Sequence, residues 1–304
     1  MSSSSSRGSG LPYAIGVYLM WGLIPLYFKL LDPVPPFELV GWRVVFTIPV
    51  CLVLVALLRQ FDDVRRALTS PRTLAALVLS AFLIGANWLV YVIAIATDHV
   101  FAASLGYYIN PLMNVLAGTL FLGERLSRRQ WIAVALATVG VGVLAWGALG
   151  TLWISMGLAL SFCGYGLVRK LAPVESLPGL TVETFVLILP AIALIAWQGA
   201  QPAGISLGRS PMIDTLLALA GIVTGVPLML FATAARRMSY STLGFVQFLA
   251  PTLVFMLGLF VFREPLHPAQ LASFVMIWAA LGVFCWDLLS SRRSSPPPEV
   301  EAPA

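Results

Sequence analysis

Apolar residues in this chain come in long unbroken runs, not in stripes. Stretches such as 74–86 and 131–144 are apolar on every side, so they present no face suited to water. A bilayer core ~30 Å thick takes about 20 mostly apolar residues per crossing helix. At that length the chain divides into ten predicted spans: 12–31, 37–58, 74–96, 100–122, 130–149, 152–171, 180–198, 214–235, 242–262 and 268–289. The connections between them are too short to hold a soluble domain. The pattern therefore predicts an all-α membrane protein with ten transmembrane helices.

Composition agrees. Hydrophobic residues make up 59% of the 304 and charged residues 10%, with a mean hydropathy of +0.92. A soluble domain carries about 45–50% apolar and 25% charged residues, so lipid must cover the surface that charge leaves bare. The net charge of +5 does not imply nucleic acid, because the basic residues sit in short loops. With the N-terminus placed in the cytoplasm, fourteen of the 18 basic residues fall on that side: Arg7, Arg59, Arg65, Arg66, Arg72, Arg125, Arg128, Arg129, Arg169, Lys170, Arg236, Arg237, Arg292 and Arg293. Arg209 and Arg263 fall outside, and Lys29 and Arg43 lie in or near the membrane. That asymmetry orients a polytopic protein and puts both termini in the cytoplasm. Polar tails are expected at 1–11 and 290–304.

A repeat divides the rest. An offset of 140 residues lays Pro111 on Pro251, Gly118 on Gly258, Glu124 on Glu264, Leu126 on Leu266 and Gln130 on Gln270. An offset of 141 lays Gly16 on Gly157, Leu19 on Leu160 and Lys29-Leu30 on Lys170-Leu171. The chain thus reads as a first five-helix repeat, 12–149, and a second, 150–289. Five crossings is an odd number, so the copies have inverted topology, an arrangement characteristic of secondary transporters.

Polar groups at membrane depth are site candidates by default. In the fourth span Asn110 and Asn114, four residues apart, share a helical face, and Pro111 frees a carbonyl beside them. Gln247 precedes Pro251 in the ninth span in the same way. Asn87 and Trp88 interrupt the third span. Two roles suit the amides: lining a substrate cavity, with Trp88 and Tyr107 as aromatic walls, or tying helices together. Arg43, some six residues into the second span, suits an anionic substrate or an internal partner better than snorkelling. Glu38 and Glu183, near the starts of the second helices of the two halves, suit a coupling proton or simply the helix dipole, and are read as carboxylates that favour a helix start. Glu124 and Glu264 are read as loop caps, and Gly140 and Gly142 as packing positions.

Cys51, Cys163 and Cys285 all lie in apolar runs, and His99 and His267 in loops. No nucleotide-binding, metal-binding or nucleophile–His–acid pattern occurs. No catalytic residue, cofactor or metal is expected. A membrane-embedded enzyme or sensor is the alternative reading, and it lacks a clustered catalytic set.

Several blocks carry a family likeness. Tyr18-Leu-Met-Trp-Gly-Leu-Ile-Pro-Leu-Tyr-Phe-Lys29, Ile84-Gly-Ala-Asn-Trp88, Ala103-Ser-Leu-Gly-Tyr-Tyr-Ile-Asn-Pro-Leu-Met-Asn114, Phe121-Leu-Gly-Glu-Arg125, Tyr165-Gly-Leu-Val-Arg-Lys170, Gly221-Ile-Val-Thr and Ser241-Thr-Leu-Gly-Phe245 resemble the RarD proteins of the EamA group, in the drug/metabolite transporter superfamily. The likeness implies two EamA repeats, a bacterial plasma-membrane location and export of a small organic metabolite, amino acid or drug such as chloramphenicol. The partners expected are a small-molecule substrate, with coupled protons as one candidate drive, and the lipid bilayer; no nucleic acid is expected.

Overall fold

The computed structural model describes residues 9–147, 149–263 and 268–293. Glu264, His267, Arg7 and most of both tails lie outside the described residues.

Among the described residues ten helices are long and apolar enough to cross a membrane. The first half holds α1 (Leu11–Leu30), α2 (Pro36–Leu57), the short α3 (Phe61–Thr69), α4 (Pro71–Ala96), α5 (Val100–Phe121) and α6 (Arg128–Trp146). The second holds α7 (Leu152–Leu171), α8 (Ser176–Gly199), α9 (Pro211–Arg237), α10 (Tyr240–Gln247), α11 (Leu249–Phe260) and α12 (Pro268–Arg293). Proline opens α2, α4, α9 and α12, at a position where its missing N–H costs nothing and its fixed φ suits the helix. Ser127 and Gln130 form a reciprocal capping box at α6, which satisfies two otherwise orphaned donors.

Three features depart from the hydrophobic pattern. The loop after α2 contains α3, whose charged residues hid it from a search for apolar runs. The ninth span is two helices, α10 and α11, joined at Phe248. Pro251 lacks the N–H that would bond the Gln247 carbonyl four residues back, and the helix breaks beside that carbonyl. In α5, Pro111 is accommodated without a break. Finally, α12 continues to Arg293, beyond the 289 at which the apolar run ends.

Packing follows the repeat. Exchanging the halves pairs α1 with α7, α2 with α8, α4 with α9, α5 with α10–α11, and α6 with α12. Under that exchange most of the larger contacts correspond. The packing of α5 on α7 becomes that of α11 on α1, α4 on α7 becomes α9 on α1, and α2 on α9 becomes α8 on α4. The pairs α2–α8, α5–α10 and α6–α12 map onto themselves. The α7–α9 contact has no counterpart of similar extent. The pattern fits the inverted repeat expected from the sequence offset.

The crossing of α2 and α9 is tight. At Gly221 of α9 a β-carbon would lie 2.1 Å from the Phe46 carbonyl oxygen of α2, so only glycine lets these backbones touch. Thr47 of α2 donates to the Gly221 carbonyl, 3.2 Å, and to the Arg43 carbonyl, 2.6 Å. In α6, Gly140 lies against Ser273 and Met276 of α12, whereas Gly142 meets no neighbour. Elsewhere large apolar side chains such as Phe82, Phe121, Trp146, Leu189 and Trp286 face outward, where only lipid can cover them.

Candidate functional site

Two faces of the bundle follow from connectivity. The ends of α2, α5, α7 and α9 with their Arg-rich loops share one face, here the basic face. The loops after α1, α4, α6 and α8 share the other.

Towards the basic face the bundle is closed. Tyr18, Trp21, Phe162, Tyr165 and Phe231 form a ring cluster with neighbouring centroids 5.0–5.9 Å apart. Tyr240 donates to the Cys163 carbonyl, 2.7 Å, and Tyr18, Tyr165, Phe231 and Tyr240 have no exposed surface. Glu124 seals the edge. After α5 the chain turns through Gly123 at φ +64°, a region glycine enters without steric cost. This turn brings the Glu124 carboxylate to the backbone N–H groups of Tyr240, 2.6 Å, and Ser241, 2.8 Å. An anion on the first amides of α10 satisfies orphan donors and meets the positive end of the helix dipole. The cap expected of Glu124 is thus found; its repeat partner Glu264 is outside the described residues.

Deeper on this side lies a charged pair whose members are 1% exposed or less. Arg169 Nε of α7 stands 3.5 Å from Glu183 Oε1 of α8. Ser80 of α4 donates to the same oxygen, and Arg169 Nη2 donates to the Ser176 carbonyl, 2.9 Å. The guanidinium fits because residue 179 is glycine: a β-carbon there would lie 1.9 Å from Nη1. This corrects two expectations. Arg169 is not a solvated loop charge, and Glu183 is not a helix-start carboxylate, since it sits seven residues past Ser176 and is ion-paired. Glu38 is likewise engaged by neighbours outside its own helix start. It accepts from the Ser206 N–H at 2.6 Å, the Ser206 hydroxyl at 2.8 Å and the Trp42 indole at 2.9 Å, pinning the loop after α8.

Towards the opposite face the interior loosens around Arg43. Its Nε donates to Thr224 Oγ1 of α9, 2.9 Å. Its guanidinium lies 5.0 Å from the Trp88 ring centroid and 5.5 Å from that of Phe28. Tyr27, Tyr91 and Tyr107 are its electrostatic neighbours, and Tyr91 and Tyr107 stand 6.0 Å apart by ring centroid. Arg43, Trp88 and Tyr91 are partly covered and Tyr107 is 44% exposed. Among the described residues no carboxylate pairs with Arg43. Aromatic faces and one hydroxyl thus brace this cation within the span, which makes it a site candidate.

The amides lie between these regions, in packed helix contacts. Gln247 Nε2 donates to Asn110 Oδ1, 2.5 Å, while Gln247 Oε1 accepts from Asn114, 2.7 Å, and from the Tyr18 hydroxyl, 3.4 Å. Asn110 also donates to the Ala159 carbonyl, 2.8 Å, and Asn87 to the Leu158 carbonyl, 2.9 Å. All four are buried. In this conformation they act as ties: Asn87 and Asn110 grip α7, and Asn114 with Gln247 grips the broken ninth span. The structure therefore brings Arg43, Trp88 and Tyr107 together in a partly exposed cluster, here the basin, and places Asn87, Asn110, Asn114 and Gln247 in the buried interior. Among the described residues no group of three or more His, Cys, Asp or Glu side chains is placed to hold a metal ion.

Ten apolar helices in two exchangeable halves around a polar interior define a multi-pass membrane transporter. Comparison with known proteins specifies which. A model of the EamA-like transporter family matches residues 8–146. The protein named RarD from Streptomyces exfoliatus is 41% identical over all of this chain and 96% of its own length. The protein named RarD from Escherichia coli (strain K12) is 42% identical over 93% of this chain and 96% of its own. Further off, a protein from Pseudomonas aeruginosa named chloramphenicol-sensitive protein RarD is 29% identical over 92% of this chain and 94% of its own. One crystal structure shares the fold with a TM-score of 0.70 at 20% identity, over 91% of this chain and 98% of that one. The chain belongs to the RarD proteins of the EamA-like transporter family.

Proposed function

We propose that the protein is a secondary transporter of the bacterial plasma membrane, with both termini in the cytoplasm, exporting a small organic molecule that carries an anionic or acceptor-rich group on an aromatic or apolar body. Arg43 carries this reading: an intramembrane cation with aromatic bracing and no carboxylate partner. The basic face is the cytoplasmic one, because arginine-rich loops are retained on that side. The structure then corresponds to an outward-facing state, its basin opening away from the cytoplasm. Alternating access would rock the two halves about the α2–α9 crossing and expose the interior to the other side. On that motion the buried amides Asn87, Asn110, Asn114 and Gln247 would exchange their mutual bonds for bonds to substrate. Amino acids and chloramphenicol-like drugs, the latter suggested by the name of the Pseudomonas relative, both offer groups that Arg43 and the amides would recognise.

The test is flux in proteoliposomes, with a labelled panel of amino acids, organic acids and amphipathic drugs, with and without an imposed pH gradient. Gradient-dependent movement of at least one compound, abolished in Arg43→Ala and Asn110→Ala, is the expected result. Movement indifferent to both substitutions would dissociate transport from this site. No movement of any compound in folded protein would favour the enzyme or sensor alternative.

A further inference from the structure

At the 140-residue offset Arg43 falls on Glu183, and in the structure each lies seven residues past the first residue of its helix, α2 or α8. The two-fold exchange thus places a cation near one face and a carboxylate near the other, at matched depth. A single cavity touches both neighbourhoods. It has room for about one water molecule and is lined on one side by Trp88 and Thr224, the partners of Arg43, and on the other by Glu183 and Thr184. Val44, Ile84, Leu180 and Leu228 make its apolar collar.

The Glu183 pair is built incompletely. Oε1 takes both Ser80 and Arg169, while Oε2 makes no hydrogen bond among the described residues; nor does Arg169 Nη1. The groups facing Glu183 are Arg169 and Tyr165 from α7 and Cys51 from α2, with only the Ser80 hydroxyl from α4. One cation and one carboxylate therefore decide the charge of this pocket. A carboxylate with a free oxygen, lining the same small cavity as Trp88 and Thr224 and paired with the helix that closes the basic face, is positioned to take a proton.

We propose that Glu183 is the proton-binding carboxylate that couples export to proton entry, by locking and unlocking the gate on the basic face; this rests on the transporter reading above. In the outward-facing state a proton from the basin passes along the collar to Oε2. Neutral Glu183 no longer compensates Arg169, and a buried cation left without its partner is strongly unfavourable. The pair separates, α7 and α8 part, and the interior opens to the basic face. There the proton leaves to water. Substrate binds, the ionised carboxylate returns to Arg169, and the gate closes as substrate moves outward. The cycle exchanges one proton inward for one substrate outward.

The test reads the gate without needing a substrate. In full-length detergent-solubilised protein with Cys51, Cys163 and Cys285 replaced, Leu177→Cys places a thiol in the first turn of α8, at a position 6% exposed. Its rate of modification by a charged maleimide is divided by that of an exposed control, Asp62→Cys. Acidification from about pH 8 to about pH 5 is expected to raise this ratio several-fold. In Glu183→Gln the ratio is expected to be high and flat at both pH values. An unchanged ratio in the parent protein, or a pH response that survives Glu183→Gln, overturns the assignment. Where Glu183→Gln fails to yield monodisperse protein, Glu183→Asp serves: the pH midpoint must move, and an unmoved midpoint overturns the proposal. Because no substrate enters, a failure here is separable from a failure of transport, which the flux panel reads alone.

Discussion

Arg43 and Glu183 are equivalent positions that the two halves have filled with opposite charges, and their surroundings differ as much as their signs. Arg43 is stacked on Trp88 and Phe28 and bonded to a hydroxyl, partly uncovered and, among the described residues, without a carboxylate partner. Glu183 is fully enclosed and bound to Arg169 and Ser80. The first arrangement has no carboxylate partner among the described residues; the second is an ion pair inside the fold that leaves one carboxylate oxygen without a hydrogen bond. On the proposed reading, the same fold position serves recognition in one half and closure in the other, a division that identical repeats would not permit.

The contrast breaks most visibly at Arg169. Arg169→Ala strands Glu183 in a dry interior and is expected to cost about 3–5 kcal/mol, seen as a large fall in thermal stability in detergent. The double substitution Arg169→Met with Glu183→Leu should recover most of that loss, since a well-packed apolar pair replaces a buried ion pair at little cost. At Arg43 the expectation is reversed. Arg43→Ala removes a cation already supported by aromatic faces and should leave the melting temperature nearly unchanged, while weakening binding of a transported anion by about 2 kcal/mol, roughly 30-fold in affinity. If Arg43→Ala instead melts the protein, its role is structural and the division fails. Smallest is Glu124→Gln, which keeps one acceptor for the first amides of α10 but loses the charge, at about 1 kcal/mol. Flux should slow in proportion, because α10 holds Gln247 against Asn110 and Asn114.

Sequence pattern carried the architecture further than it carried the site. Ten spans, the 140-residue offset and the one-sided arginines are properties of single segments and their order, so they survive without coordinates. Arg43 was legible because a lone charge in an apolar run has no local partner. Glu183 stood out as a carboxylate near a helix start, but its ion pair was not legible, because its partner Arg169 stands at the end of the preceding helix, where an arginine resembles any other orienting charge. The break at Phe248 lies three residues ahead of a proline that looked equivalent to Pro111; only neighbouring helices decide which of the two prolines interrupts its span. The amides were found, but whether they line a cavity or tie helices depends on the conformation, and composition holds no record of that.

The contact of Gly221 with the Phe46 carbonyl bears on how a saturation mutagenesis map of this protein should be interpreted. A methyl group at Gly221 would overlap the backbone of the other half, and Gly179 and Gly244 are similarly confined by Arg169 and by the Pro111 carbonyl. These columns will be as intolerant as any ligand-contacting position, for every transported compound alike. Columns whose intolerance changes from one compound to the next will report recognition, and Arg43 belongs with them. Uniform intolerance at the three glycines instead traces the seams along which the helices meet, and so outlines the moving parts independently of the cargo.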